Sequence, residues 1–483
     1  MYYAVQNCVA EIPFHSGKVY DDPFNEVDLD VIFEGPNGSK QVVPAFWAGE
    51  NVWKVRFSTP VIGKYSYTTV CSDKKNVTFH DQKGEVQVNP YQGTNPLLRH
   101  GPLRVSENRR YLEHIDGTPF FWLGEIWIFG LSKRLAWPQD FRILTEDRVK
   151  KGFSVITLTA GLYPIAPPFL EERYGNEAGL PWEKNYTRIN PAYFDMADLR
   201  IEYLIDAGLM PMIYGSWGFV ISAMGVDKMK KQWRYLIARY GAYPVVWCLA
   251  GEVLLPFVTP GEPHPSEKER EIRKKEWTEV APYIKQIDPY HRLLTAHPEG
   301  MAHSRSQVED PESLIDFDYL QTIHSNWFAI PSHVKMVVEA VNRKPKMPVM
   351  VGEAFYEGHA GTMWEDVQRF IFWSSILSGT CGHTYGCEGI FQTQPVGEEP
   401  FDDGRGRCTY GTRSWKETYQ YAGSKQMGIA KRLLERYRWW RLEPHPEWVK
   451  RFNIDTIHGW QYPKEYNTCY AAGIPGELRI IYF

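Results

Sequence analysis

Val245-Val246-Trp247-Cys248-Leu249-Ala250-Gly251-Glu252 is a short apolar run that ends in a glycine and a glutamate. Runs of this length are typical of buried strands, and this one is followed by an amphipathic helical pattern. The chain contains eight such runs, which we interpret as strands over residues 120–123, 155–158, 210–214, 245–249, 293–296, 319–323, 349–352 and 381–385. Eight strands alternating with helices across about 270 residues predict an α/β fold, a parallel (β/α)8 TIM barrel.

Capping signals mark the ends of several predicted helices. Asn190 and Pro191 predict the start of one helix, and Gly208 stands where a left-handed residue ends it. Thr362-Met363-Trp364-Glu365 has the spacing of a capping box, which predicts a second helix start. The last barrel helix is expected from Ser424 to about residue 437.

The sequence on either side of the barrel reads as β-structure. In residues 1–92 apolar residues alternate with polar ones between Gly- and Pro-rich turns, which predicts an N-terminal β-sandwich domain. Residues 89–96 concentrate helix and strand breakers, so the barrel domain is assigned to 93–440. Residues 441–483 end in a strand pattern and are expected to form a short C-terminal β-segment that needs partners from elsewhere in the chain.

Charge and cysteine content exclude several classes of protein. The net charge is −4 and no Lys/Arg run exceeds three residues, which argues against a nucleic-acid partner. No stretch approaches the roughly 18 apolar residues of a membrane span, and no signal peptide is recognised, so we expect a cytoplasmic protein unless an export signal precedes this sequence. The seven Cys residues lack Cys-x-x-Cys spacing and are expected to be free thiols.

Aromatic residues are unusually frequent: 18 Trp, 29 Tyr and 24 Phe make up 15% of the chain. Packing can use many of these rings. A site that stacks on flat, polar ligands such as sugars can use others.

Two glutamates are the strongest candidates for catalysis. In a barrel of this kind the active site lies at the carboxyl ends of the strands, and both Glu252 and Glu353 end a strand directly after a glycine. Glycosidic cleavage needs one carboxyl group as acid and a second as nucleophile or electrostatic support. We therefore predict Glu252 as general acid/base and Glu353 as nucleophile, although a single Glu at a strand end is more often a helix cap or an ion-pair partner.

Other polar and aromatic residues are predicted near the same mouth. The expected substrate-binding residues are Glu125, Trp127, Trp217, His297, His324, Trp327, Tyr356, His383 and Tyr385. For each His the alternative is a structural hydrogen bond, and for each ring it is packing. Trp373 lies on a helix stripe and is interpreted as core.

Rival chemistries have weaker signals. His and Glu at strand ends can bind zinc in barrel hydrolases, but the first strand has no His-x-His and no His-Glu-x-x-His occurs. The Gly-x-Ser-x-Gly elbow, the Walker loop and the Gly-x-Gly-x-x-Gly fingerprint are also missing from the sequence. We expect neither a metal nor a cofactor, and we rank a metal-dependent hydrolase below a glycosidase.

Five segments together resemble the apiosidase-like barrel domain of glycoside hydrolase family 140, and the resemblance covers roughly residues 96–440. The segments are Phe121-Trp122-Leu123-Gly124-Glu125, residues 233–240, residues 246–252, residues 352–358 and residues 378–386. The resemblance implies a preceding β-sandwich, a following small β-domain, and catalytic carboxylates after strands 4 and 7, which are Glu252 and Glu353 here. Glu125 stands where that family commonly has Asp, and Gly251 where many related retaining barrels have Asn, so apiose is not assumed as the substrate.

These observations favour a glycoside hydrolase that removes a terminal sugar from a plant or microbial glycan or glycoside, with retention as the expected outcome. A barrel that binds carbohydrate without cleaving it is the alternative from a different class. The sugar, its anomeric form, its linkage and the oligomeric state are left open by the sequence.

Overall fold

The structure is a computed structural model that describes residues 1–164, 169, 174–255, 266–322, 329–398, 411–449 and 469–483. Its strands are β1 Tyr2–Val5, β2 Ala10–His15, β3 Leu29–Glu34, β4 Lys40–Pro44, β5 Phe46–Trp47, β6 Val52–Phe57, β7 Gly63–Cys71, β8 Lys83–Asn89, β9 Leu103–Val105, β10 Leu112–His114, β11 Pro119–Phe120, β12 Trp122–Ile126, β13 Val155–Thr159, β14 Met210–Tyr214, β15 Val246–Cys248, β16 Leu294–Thr295, β17 Ala302–His303, β18 Asp318–Gln321, β19 Val349–Glu353, β20 Gly382–Tyr385, β21 Glu443–Pro444, β22 Tyr470–Ile474 and β23 Leu478–Tyr482.

The α-helices of the described residues surround or connect these strands. They are α1 Pro23–Glu26, α2 Pro96–His100, α3 Gln139–Lys151, α4 Pro191–Asp206, α5 Val220–Met224, α6 Val226–Tyr240, α7 Glu267–Ile287, α8 Pro311–Leu314, α9 Ile330–Asn342, α10 Glu365–Leu377, α11 Trp415–Thr418 and α12 Ala422–Leu434.

The N-terminal strands form two sheets that share one apolar core. One sheet has the order β1-β8-β7-β3-β4 and the other β2-β6-β5. The residues whose alternation predicted this arrangement point inward: Phe33 of β3 stacks on Phe57 of β6 with ring centroids 4.1 Å apart. Trp53 and Val55 are equally buried. Alternation with period two therefore places one face of each strand in the shared core.

A curled nine-stranded sheet follows, in the order β16-β15-β14-β13-β12-β20-β19-β18-β17. Its pairs are parallel, except for β17, which runs antiparallel to β18. The two ends of the curl approach each other, because Asp316 N–H donates to the Leu294 carbonyl at 2.8 Å and the Ser304 hydroxyl contacts both Ala296 and Tyr319. All eight strands predicted for a barrel are present, with ends shifted by at most three residues.

The sheet has an inner face and a face covered by helices. Trp122 of β12 packs inside the curl against Phe317, with centroids 5.8 Å apart. On the outer face Trp233 of α6 meets Trp247 of β15 edge to face at 5.7 Å. Strands covered on both faces read as continuous apolar runs, which is why they are recognisable in the sequence.

Two of the three predicted helix starts are corrected by the structure. Asn190 caps α4 as expected, since its side chain accepts from Ala192 N–H at 3.2 Å, and Gly208 follows with φ +84°. The predicted capping box at Thr362 is wrong: its hydroxyl donates to His359 O in the preceding turn, and α10 begins at Glu365. The last barrel helix begins at Ala422 rather than Ser424, whose hydroxyl donates to Tyr421 O.

A buried ionic network joins the N-terminal sheets to the curled sheet's helices. Arg56 of β6 donates to Asp198 of α4 at 2.5 Å and to the Arg239 carbonyl of α6 at 2.9 Å, while Arg239 also pairs with Asp198. Burial opposes the charge of Asp198, yet the two guanidinium groups hold its pKa below the usual range. The N-terminal unit is therefore anchored by paired charges that water does not reach.

The C-terminal strands β21, β22 and β23 form a small antiparallel sheet. It packs on α10, where Trp373 stacks on Tyr482 with centroids 6.2 Å apart and Phe370 meets Tyr470 edge to face. Trp373 was interpreted as core, but it is half-buried and packs between the core and this sheet. The expected C-terminal strand finds its partners in β22 and α10.

Six of the seven cysteines lie in the described residues, and all six are free thiols. The seventh, Cys408, lies outside those residues. Within the same part of the chain, no helix combines the length and apolar character needed to cross a membrane.

Candidate active site

The structure brings Glu252 and Glu353 to one amide group. Gln321, the last residue of β18, donates through Nε2 to Glu252 Oε1 at 3.2 Å and to Glu353 Oε1 at 3.3 Å. A carboxamide nitrogen carries two hydrogens, so each carboxylate can receive one of them. The two glutamates therefore face each other across a single neutral donor.

A histidine and a tyrosine extend this hydrogen-bond chain. His297 Nε2 lies 2.9 Å from Glu353 Oε2 and 3.0 Å from Gln321 Oε1, and its Nδ1 contacts the Tyr214 hydroxyl. Burial raises the pKa of Tyr214 well above its usual value, so the hydroxyl keeps its proton. Because Nε2 faces two acceptor oxygens, those of Glu353 and Gln321, it carries a ring hydrogen on the side of Glu353.

The glycine before each glutamate makes room for an aromatic ring. A Cβ on Gly251 would lie 2.3 Å from the ring of Trp217, and one on Gly352 would lie 1.9 Å from the ring of Tyr319. Neither distance is compatible with a side chain. In each Gly-Glu pair the glycine has no side chain and so leaves space for an aromatic ring, and the glutamate is the next residue along the chain.

Irregular backbone geometry sets the direction of the Glu252 and Glu353 side chains. Between β18 and β19 the register shifts, so that Leu320 pairs with Val351 but Gln321 pairs with Glu353. This bulge skips Gly352 and turns Glu353 to the inner face with Gln321. Glu252 has φ +39°, a left-handed conformation that costs a non-glycine residue energy and is concentrated at functional sites.

The site is more enclosed on one side than on the other. Glu353 is only 4% exposed, whereas Glu252 is half-buried. Tyr319, whose hydroxyl donates to the Gly352 carbonyl at 2.9 Å, has a pKa raised by burial and is neutral. The chemistry available is therefore that of two carboxyl groups in a mouth lined by neutral donors and rings.

Four of the predicted substrate-binding residues face the helices instead of the mouth, so their placement corrects the sequence interpretation. Glu125 accepts from Arg148 of α3 through both oxygens and from Trp127 Nε1, and it is fully buried. Trp127 packs edge to face on Phe141 of the same helix. The reason is pleating: Trp122 points inward, so residues at odd positions of β12 point outward.

The same alternation turns away His383 and Tyr385 of β20. His383 lies against Phe372 of α10, its ring nitrogens have no partner among the described residues, and burial lowers its pKa to about 3. Tyr385 donates to Glu357 instead. Burial raises the pKa of Glu357 to about 6. Thr384, between them, points inward and accepts from Trp122 Nε1 at 3.2 Å.

The remaining predicted residues divide into three groups. Trp217 and His297 lie in the site, with their rings 6.3 Å apart. Tyr356 is buried, with its ring centroid 5.2 Å from that of Phe391. Its ring lies over Gly386, where an added Cβ would be 2.1 Å from the nearest ring atom. His324 and Trp327 lie outside the described residues.

Gln321, Tyr214 and Tyr319 were not predicted as site residues. A usable signal was present: in β18 Tyr319 and Gln321 are two positions apart and share a face, and Tyr214 ends β14. A buried polar residue at the last position of a barrel strand points to the mouth when its face is known. That face could not be read because strand ends are uncertain by one residue in the sequence.

A cavity of about 650 Å³ lies elsewhere, between α9, α10 and the C-terminal sheet. Among its charged lining residues, Arg110 pairs with Glu443 and Lys335 with Glu339. Among the described side chains, no cluster of three or more His, Cys, Asp or Glu could hold a metal ion.

Comparison with known proteins places the chain among carbohydrate-active enzymes. Residues 106–441 match the family model described as "Apiosidase-like, catalytic domain", and residues 7–72 match a domain of unknown function, DUF5060. No curated protein matches the chain.

Solved structures with the same fold are glycoside hydrolases by description. A candidate glycoside hydrolase from Bacteroides vulgatus ATCC 8482 is 19% identical with a TM-score of 0.66, covering 91% of this chain and 79% of that one. A structure described only as a glycoside hydrolase is 23% identical, with a TM-score of 0.60 and coverage of 79% and 83%. A family 5 glycoside hydrolase from Bacteroides vulgatus ATCC 8482 is 20% identical, with a TM-score of 0.60 and coverage of 79% of each chain. At these identities the likeness is one of fold.

Proposed function

Since the chain belongs to the apiosidase-like family of catalytic domains, we propose that it is a glycoside hydrolase that removes a terminal sugar from a plant or microbial glycan or glycoside. The observation that carries the proposal is the pair Glu252 and Glu353, held on one Gln321 amide at the ends of two parallel strands. We further propose that the curled sheet is a closed (β/α)8 barrel, flanked by an N-terminal domain over 1–92 and a C-terminal segment over 441–483.

Glu353 is assigned as the nucleophile. It is the more buried of the two carboxylates, and His297 Nε2 and Gln321 Nε2 both face it as donors. Donors of this kind stabilise the charged form that a nucleophile needs. With one donor on each oxygen, they also restrict rotation of the carboxylate.

Glu252 is assigned as the general acid and base. Its half-buried position leaves it access to the leaving group and to water, and Gln321 is the neutral donor beside it. In the first step Glu353 bonds to the anomeric carbon while the bond from that carbon to the leaving oxygen breaks. The proton of Glu252 passes to the leaving oxygen. In the second step water attacks the same carbon, Glu252 takes a proton from that water, and Glu353 is released.

The spacing of the two carboxylates supports retention. One nitrogen lies 3.2 Å and 3.3 Å from the two oxygens, so these are at most about 6.5 Å apart. If each N–H of the amide points to one oxygen, the separation is about 5.6 Å. Retaining enzymes have carboxyl groups about 5–5.5 Å apart and inverting enzymes about 6.5–9.5 Å. This arrangement is closer to the retaining geometry.

The test is turnover of aryl glycosides and plant polysaccharide fragments by the full chain and by Glu252→Gln and Glu353→Gln. We expect each variant to fold and to lose about 10³-fold or more in kcat. Glu312→Gln is the control, because Glu312 is 40% exposed and pairs with Arg305 outside the site. Near-normal turnover in either site variant would remove that residue from the mechanism.

Two outcomes would replace the proposal itself. Binding of sugars without turnover of any glycoside would identify a carbohydrate-binding barrel. Loss of activity after exhaustive chelation, with recovery on adding zinc, would identify a metal-dependent hydrolase.

A further inference from the structure

Two buried polar atoms near the carboxyl ends of β13 and β14 have no hydrogen-bond partner among the described residues. They are Thr159 Oγ1 and Trp217 Nε1. Thr159 is fully buried and Trp217 is 2% exposed. Buried hydroxyl and indole N–H groups are nearly always paired, because an unmet group costs free energy that water would otherwise supply. Such groups are met by an ordered water or by a bound ligand.

Thr159 lies in the ring of residues that surrounds the mouth. It is the last residue of β13 and pairs with Tyr214 in the β13–β14 ladder. Thr157, two positions earlier, contacts Met212 Sδ at 3.7 Å, and Met212 is two positions before Tyr214 on β14. Because side chains alternate along a strand, Thr157 and Thr159 share the inner face, with Thr159 one layer nearer the mouth.

Trp217 lies against the same hydrogen-bond chain. Its ring is 6.1 Å from Tyr214 and 6.3 Å from His297, and it covers Gly251, the residue before Glu252. Its backbone N–H donates to the Leu162 carbonyl at 2.8 Å, which fixes the backbone that carries the indole. The ring is positioned, but its N–H is not used within the described part of the chain.

We propose that Thr159 Oγ1 and Trp217 Nε1 hydrogen-bond hydroxyl groups of the sugar that occupies the mouth between Glu252 and Glu353; this assignment rests on the proposed function. The chemical class follows from the groups: an indole N–H only donates and a threonine hydroxyl both donates and accepts, so both suit neutral sugar hydroxyls. The two groups also make the site selective among sugars, because a sugar that lacks the matching hydroxyl leaves Thr159 Oγ1 and Trp217 Nε1 unpaired.

A free-energy trade-off distinguishes this role from a structural one. Thr159→Val removes an unsatisfied hydroxyl and keeps the shape of the side chain, so it is expected to leave the unfolding temperature unchanged or to raise it. The same change removes a sugar contact and is expected to weaken binding about tenfold. A threonine that serves only the fold would show the opposite pattern.

The experiment is isothermal titration of the full chain with a set of p-nitrophenyl 1-thioglycosides, which resist hydrolysis. Wild type, Thr159→Val, Trp217→Phe and Thr157→Val are compared for affinity and for unfolding temperature. Thr157→Val is the matched control, since its hydroxyl lies on the same face one layer deeper and already contacts sulfur. We expect weaker binding in Thr159→Val and in Trp217→Phe, and wild-type binding in Thr157→Val.

Binding is read separately from turnover, so the two proposals fail separately. Thioglycoside binding that weakens in Thr159→Val, in a protein that hydrolyses no O-glycoside, would support this inference and overturn the glycosidase. Wild-type affinity in both Thr159→Val and Trp217→Phe would overturn this inference whatever the turnover. Loss of affinity together with a lowered unfolding temperature in Thr159→Val would also overturn it, as would a wild-type chain that binds none of the thioglycosides.

Discussion

Arg148 holds Glu125 by two hydrogen bonds, at 2.7 Å and 2.8 Å, and both side chains are shielded completely from solvent. This pair joins β12 to α3 on the outer face of the curled sheet. A glutamate that the sequence predicts as a substrate contact therefore has both oxygens bound to a structural arginine.

Glu125→Gln is predicted to lower the free energy of unfolding by about 1.5–3 kcal/mol, because the buried guanidinium of Arg148 loses one of its two carboxylate partners and keeps only Asp147. The control is Glu146→Gln, whose pair with Arg142 is exposed and is expected to matter by less than about 1 kcal/mol. Denaturant unfolding measures both. Unchanged stability combined with weaker substrate binding would instead support the substrate contact that the sequence predicts for Glu125.

Gly352→Ala is predicted to damage the site through packing. Its new Cβ would lie 1.9 Å from the Tyr319 ring, so either that ring or the strand carrying Glu353 must move. We expect a cost of about 1–3 kcal/mol and a fall in kcat larger than the loss of folded protein explains. Gly300→Ala is the control, since no described atom lies within 4 Å of the position its new methyl group would take. Wild-type turnover in Gly352→Ala would contradict this interpretation of the bulge.

Tyr214→Phe is predicted to lower kcat about tenfold while KM changes little. The lost hydroxyl contacts His297 Nδ1, so the imidazole that places Nε2 beside Glu353 loses the partner on its other nitrogen. The ring itself and its packing remain. Steady-state kinetics on the best aryl glycoside, together with an unfolding curve, separate this effect from loss of folded enzyme. Equal kcat in both proteins would rule out a role of Tyr214 in orienting His297.

Glu357 is predicted to make stability depend on pH. Burial raises its pKa from about 4.5 to about 6, so the folded state holds the proton more tightly than the unfolded state. Stability is therefore full below about pH 4.5 and falls as the pH rises through about 6, by about 2 kcal/mol in total. Glu357→Gln should remove this slope and be the more stable protein at pH 7.5. Parallel stability curves for the two proteins between pH 4 and pH 8 would contradict it.

The sequence was informative wherever a pattern is local. Short apolar runs followed by helical periodicity identified all eight strands of the predicted barrel, and the Asn190-Pro191 start of α4 was predicted correctly because a cap depends on neighbouring residues alone. The two Gly-Glu strand ends likewise singled out Glu252 and Glu353. Polar residues after buried runs are visible without knowing what they face.

Only the tertiary structure decided which way those residues point. A strand end misplaced by one residue reverses the face of every side chain on it, so Glu125, Trp127, His383 and Tyr385 could not be told from mouth residues by position alone. The bulge at Gly352 and the rings over both glycines arise from contacts between strands distant in sequence. Gln321 was identified as a site residue only in the structure for the same reason. Its role depends on its distances to Glu252 and Glu353, which the sequence of a single strand does not give.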